Sequence, residues 1–422
     1  MEHARLSSAE YLERHGIRDK LCTLVKEFAK HQPPDPQEQL DAVVERISGS
    51  AQNAAGQDAQ ESKRVPVAAR MVKLQQARQS WEAGRQSFYA WLAKTPEEAL
   101  EPELEIVDSH HHLWDMRELP QGVNPFGIFK QKHYMLEDLL DDCLGGGHNV
   151  THTVYAEAHA FHSADCPDPV MAPLGEVVAA QGVAAICASG KYGNFRAAAG
   201  IIGSADLAKF GADIEPYLLA CQANCPNFRG VRVTASHDPN LESGNFRPKP
   251  GMYLEEKFRA GFEVVGRLGL VFDAWLFACQ LPDLHDLATS FPDTTIVMDH
   301  MATPVGALGD HVSAPAYHGK QAEVVERWKS EMTRIARDCP NVYVKLGGGG
   351  MPHLGHGFEG RDAPPTSEEV ALAFQETYLW TIRTFGCQRC MFEGNFPVDK
   401  VPPPELMPPC LTSRLRFQSD RS

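Results

Sequence analysis

The chain has 422 residues, 43% of them hydrophobic and 23% charged, an ordinary globular composition with room for two or three domains. A formal net charge of −15 argues against a nucleic-acid or anionic-membrane partner, since both require a cationic face. No apolar run approaches the roughly 18 residues of a membrane span, and the charged N-terminus lacks the apolar stretch of a secretory signal. The 11 cysteines are scattered, with a single CxxC pair at Cys387 and Cys390, and fit reduced thiols in a soluble, cytoplasmic protein.

Residues 1–49 read as a small helical unit. Ser8 can cap a first helix whose Ile17, Leu21, Leu24, Val25 and Phe28 share one face. The run Pro33-Pro34-Asp35-Pro36 breaks it, and Leu40, Val43, Val44 and Ile47 stripe a second helix. Two such helices cannot bury their stripes alone, so a partner is expected. The YLERHGI opening, the following LCTLV helix and the PPDP turn resemble the RIIa-like dimerisation/docking domain of kinase regulatory subunits. That resemblance implies a homodimer through residues 8–49 whose groove accepts an amphipathic helix from a partner. Residues 50–103 are a small, polar linker followed by a helix over about 64–94.

From Leu104 the pattern changes to short apolar strands alternating with amphipathic stretches. LEIVDSH, HTVYAEA, VAAICAS, FRGVRVT, LVFDAWL, TTIVMDH, NVYVKLG and RCMFEGN are the eight candidates, and they predict a (β/α)8 barrel over 104–400. A doubly wound sheet is the alternative, but no GxGxxG follows the first strand. Residues 401–422 carry five prolines and no helical period. The eighth barrel helix is therefore expected to be missing, leaving the outer face of the last strand exposed unless the 64–94 helix covers it.

Several strands end in polar clusters, as a barrel with its site at the C-terminal face requires. Side chains two apart in a strand share a face, so His110 and His112 point one way with Asp108, and His111 points the other, as an outward-facing bystander. An HxH pair suits a divalent ion or a polarised carbonyl, though ordinary loop histidines read the same. Glu157 and His159 leave strand two as either a site pair or loop polar groups. Lys345 ends strand seven, where it could hold an anion. The glycines 347–350 permit close backbone approach or form a plain turn, and Asp399 with Lys400 reads as a surface pair.

EIVDSHHHLWD, TIVMDHMATP, NVYVKLGG and RCMFEGNFPVDK, in that order, resemble the amidohydrolase-2 family of barrel hydrolases, in its lactonase-like branch. The resemblance implies that His110 and His112 form the strand-one pair, that His300 is the strand-six histidine, and that Arg229 and Arg232 hold a substrate carboxylate. The chain departs from the family twice. Trp275 stands where many members have a strand-five histidine, and Asn395 replaces the strand-eight aspartate, so that amide takes the aspartate's place in the catalytic set. Zn2+ or Mn2+ at His110 and His112, a metal-independent variant, and Glu157, His159 or Glu393 supplying the missing carboxylate or base all stay open. The expected activity is hydrolysis of a small, carboxylated lactone or a related C–O or C–N bond. The alternatives are a decarboxylase, or an impaired barrel serving as a dimeric docking scaffold.

Overall fold

The computed structural model describes residues 67–116, 133–241, 245–247, 249–312, 314–358 and 361–400. The docking-like helices of 8–49, the linker up to residue 66 and the tail 401–422 lie outside the described residues.

Among the described residues, eight strands form one sheet in sequence order: β1 Glu105–His111, β2 Asn149–Ala156, β3 Arg196–Ser204, β4 Phe228–Thr234, β5 Val271–Trp275, β6 Ile296–Met298, β7 Val342–Leu346 and β8 Cys390–Phe392. All neighbours pair parallel, and helices connect them, which is a (β/α)8 barrel. Helix α1 is Val67–Leu92. The connecting helices are α2 Leu136–Gly145, α3 Leu174–Ala188, α4 Glu215–Asn224, α5 Glu256–Arg267, α6 Leu281–Ser290, α7 Gln321–Asp338 and α8 Ser367–Phe385.

Helical spacing explains which faces are buried. In α5, Phe258, Gly261, Phe262 and Val265 recur at i, i+3, i+4 and i+7 and are buried, the two phenylalanines against Phe272 of β5. Phe262 meets Phe272 of that strand edge-on at 5.0 Å. In α7, Trp328, Met332 and Ile335 do the same. Helix α8 starts at a capping box: Thr366 Oγ1 accepts from Glu369 N at 3.1 Å, and Thr366 N donates back to the Glu369 carboxylate at 2.9 Å.

One predicted strand is corrected. VAAICAS lies within α3 and at its C-terminal cap, and the third strand is Arg196–Ser204 instead. Val177, Ala180, Val183, Ala184 and Cys187 are the buried apolar positions, at helical rather than alternating intervals. The true strand, RAAAGIIGS, is built of small residues with no visible alternation.

The seam between β8 and β1 closes by a different device from the other seven. A single backbone bridge joins His111 to Phe396, and His112 N donates to Phe396 O at 2.8 Å. Side chains complete the seam. Asp108 Oδ1 accepts from Gly394 N at 2.8 Å, and Ser109 Oγ donates to Phe392 O at 2.7 Å. Outside this seam, α1 ties α2 to the segment before α8: Tyr89 OH donates to Asp141 at 3.1 Å, and Trp91 Nε1 to Arg361 O at 2.9 Å. Even so, Val107 of β1 and Phe392 of β8 remain 52% and 53% exposed, so among the described residues the seam's outer face is only partly covered.

Candidate active site

The C-terminal ends of the strands deliver a dense set of ionisable groups to the barrel mouth. Asp108, His110, His112, Glu157, Arg232, Asp273, Asp299, His300, Lys345, Glu393 and Asn395 are all buried. The parity argument holds for the pair: His110 Nε2 and His112 Nε2 lie 3.1 Å apart. His112 Nδ1 donates to Ala156 O at 3.0 Å, so its lone pair is on Nε2. His111 does point the other way, but it is not an outward bystander. It is fully buried, with its ring edge-on to Tyr155 at 5.8 Å.

His300 and Glu393 form a dyad. His300 Nδ1 donates to Glu393 Oε1 at 2.7 Å. Burial opposes the charge on His300, yet Glu393 outweighs it and raises the imidazole above its ordinary pKa. Against its own burial, Glu393 is held down at about 2 by His300 and His110. The backbone is shaped around this pair. His300, Met301, Ala302 and Thr303 all have positive φ, from 40° to 60°, as does Asn395 at 48°, and non-glycine residues in that region gather at functional sites. Gly347 and Gly348 resolve the open question about the glycine run: a Cβ on either would collide with Glu393 or His300 respectively.

The two expected carboxylate-binding arginines part company. Arg229 sits at the start of β4, exposed, with Nη1 on Pro226 O at 2.7 Å and Phe228 O at 2.9 Å, and it does not reach the mouth. Arg232 does, but its fork is already engaged. Nε donates to Glu157 Oε1 at 2.9 Å and Nη2 to Glu157 O at 2.6 Å, while Nη1 lies 3.3 Å from His110 Nε2. Glu157 thus serves Arg232, and its other oxygen lies 3.2 Å from the half-exposed His159. Lys345 is likewise no free anion holder. Its ammonium meets Asp273 Oδ2 at 2.5 Å, Asp299 Oδ1 at 3.0 Å and His110 Nδ1 at 3.1 Å. Asn395 is buried beside the dyad, donating Nδ2 to Asp399 Oδ1 at 2.9 Å. Asp399 and Lys400 are not a surface pair: burial, against the pull of His300, raises Asp399 to about 7, and Lys400 Nζ bonds Asp142 at 2.7 Å.

Sequence reasoning missed Asp273 and Asp299. The signal was present, since Asp273 is an acid inside an apolar strand at the same parity as Trp275, and Asp299 immediately precedes His300.

A narrow pocket opens beside His300, lined by His112, Arg232, Phe246, Trp275, His300, Met351, Pro352, His353, Asn395 and Val398. Phe246 packs on Trp275 at 4.7 Å, and the Arg232 guanidinium lies 5.6 Å over the Trp275 ring. Trp275 Nε1, His353 Nδ1 and Asn395 Oδ1 are buried there with no hydrogen-bond partner among the described residues.

Among the described residues, two sets of donor atoms converge closely enough for a metal ion: His110 with His300 and Glu393, and His110 with Asp273 and Asp299. His112, expected to be a ligand, belongs to neither. Both sets depend on His110, whose Nδ1 meets the Lys345 ammonium at 3.1 Å beside Glu393 Oε2 at 3.2 Å, and whose Nε2 lies 3.3 Å from Arg232 Nη1. Two like unit charges 4 Å apart cost about 4 kcal/mol at an effective dielectric constant near 20, and a divalent ion doubles that. The residues in this arrangement therefore do not fit a metal ion at His110.

The family model described as Amidohydrolase matches residues 196–407, half of the chain, and the chain belongs to that family. The "Uncharacterized protein y4mH" of Sinorhizobium fredii is 31% identical over 309 residues, 71% of this chain and 87% of that protein. Among solved structures, an amidohydrolase from Burkholderia multivorans with bound HEPES is 19% identical, covering 75% of this chain and 93% of that one, with a TM-score of 0.48. A putative 2-pyrone-4,6-dicarboxylic acid hydrolase from Pseudomonas putida is 16% identical, covering 69% and 82%, with a TM-score of 0.40.

Proposed function

We propose that the chain hydrolyses a small, carboxylated cyclic ester or a closely related C–O or C–N bond, using His300 as general base with Glu393 behind it. The observation that carries this reading is the 2.7 Å bond from His300 Nδ1 to Glu393 Oε1 on the wall of the pocket. That bond fixes the tautomer and leaves Nε2 as the lone-pair nitrogen, the role a carboxylate-oriented histidine has in acyl transfer. Nε2 takes a proton from water as the water oxygen bonds to the ester carbonyl carbon. The same proton then passes to the ring oxygen as the C–O bond opens, giving a hydroxy acid. Arg232 lines the pocket with its charge shared with Glu157 at 2.9 Å, and in the proposed reaction its guanidinium faces the developing oxyanion. Trp275 Nε1, a donor with no partner among the described residues, is suited to a substrate oxygen. Phe246, Trp275 and Met351 supply apolar walls for the ring.

A panel of γ-lactones and pyrone-type carboxylates, followed by proton release, is expected to show turnover without added metal. A folded sample that opens none of them contradicts the reading, and carbon dioxide release in place of ring opening assigns decarboxylation instead.

A further inference from the structure

We propose that the Lys345 ammonium is an internal cation that holds the place of a metal ion in this barrel, and that removing its charge turns the site into a metal centre. The argument is one of stoichiometry and placement. An ammonium has three N–H donors, and Lys345 has three acceptors within reach: Asp273 Oδ2 at 2.5 Å, Asp299 Oδ1 at 3.0 Å and His110 Nδ1 at 3.1 Å. Those three residues are also one of the two convergent donor sets of the described residues. One imidazole and two carboxylates on three different strand ends would be an apt cage for a hard or borderline divalent ion, and the ammonium sits among all of them.

Its position is enforced by the fold. Lys345 is the fourth residue of β7, buried, and its parallel neighbour across the ladder is Met391 of β8. Burial works against the charge, but Asp273, Asp299 and Glu393 together outweigh it and keep the amine protonated. The second donor set shares His110, so the same ammonium opposes an ion there as well. Lys345 thus neutralises the carboxylates while donating fixed hydrogen bonds. This role does not depend on which ester the pocket cleaves, so failure of the lactone assay leaves it standing.

The test is metal binding by the full chain, measured by competition with a chromogenic chelator and by metal content after dialysis against Zn2+ or Mn2+. The wild type is expected to retain well under one equivalent. Lys345→Met and the hydrogen-bonding Lys345→Gln should gain about one equivalent, with affinity at least tenfold above the wild type. Lys345→Arg, which keeps the charge, should behave as the wild type, and adding Asp273→Asn to Lys345→Met should abolish the gain. Thermal melts with and without Zn2+ provide a second readout, since an ion bound only by the folded state raises the melting temperature; the rise is expected in the neutral variants alone. Tight wild-type binding unaffected by Lys345→Met would overturn the proposal. So would neutral variants that melt cooperatively yet bind no metal.

Discussion

At His111 the imidazole is enclosed on every side. Burial, helped by the adjacent His110, pushes its pKa down to about 3, so it is neutral at any working pH and behaves as a flat, packed ring against Tyr155. Parity alone made it a bystander, but burial makes it structural. His111→Ala should therefore cost about 2 kcal/mol or more of stability, as other large-to-small core changes do, while leaving the KM of the folded fraction unchanged. Urea unfolding beside steady-state kinetics separates the two. The pairings of Arg232 and Lys345 were hidden for a related reason. A sequence shows that a cation ends a strand, but its partners come from β2, β5 and β6, and only the closed barrel brings them within 3 Å.

Among the elements, the end of β7 does most to place the dyad. Gly347 and Gly348 lack the side chain that would displace Glu393 and His300. Gly347→Ala is expected to destabilise by about 1–3 kcal/mol, as overpacking does, and to lower kcat because it moves Glu393. Gly182, inside α3 with nothing within 4 Å of a built Cβ, is the contrast: Gly182→Ala should stabilise by up to about 1 kcal/mol. Thermal melts of the two variants decide the matter, and equal shifts would contradict it. Seven of the eight strands were legible because their β-branched and aromatic residues bracket a polar strand end. β3 was not, because Ala and Gly leave no alternation to read, while the apolar stretch inside α3 imitates a strand.

For the molecule as a whole, the mouth is a closed electrostatic network held by the surrounding loops. Glu176, the third residue of α3, anchors the loop after β2: it accepts from Tyr155 OH at 3.1 Å, Ala158 N at 3.0 Å and Ala160 N at 2.9 Å. Burial opposes its charge, but His162 and the Ala160 amide outweigh it and hold the carboxyl below the ordinary glutamate value. A depressed folded-state pKa gives stability that is present above the unfolded value, about 4.3, and is lost as pH falls through the folded one. Stability of the wild type should accordingly fall more steeply below pH 4 than that of Glu176→Gln, as urea melts at several pH values would show.

In the proposed reaction His300 and Glu393 act as one catalytic unit. Groups that act together are non-additive on removal. On whichever lactone turns over, kcat should fall by about 10²- to 10⁴-fold in His300→Gln and substantially in Glu393→Gln. The double variant should be no slower than the slower single variant. Effects that multiply in the double variant, or a folded single variant with an unchanged rate, would contradict the account.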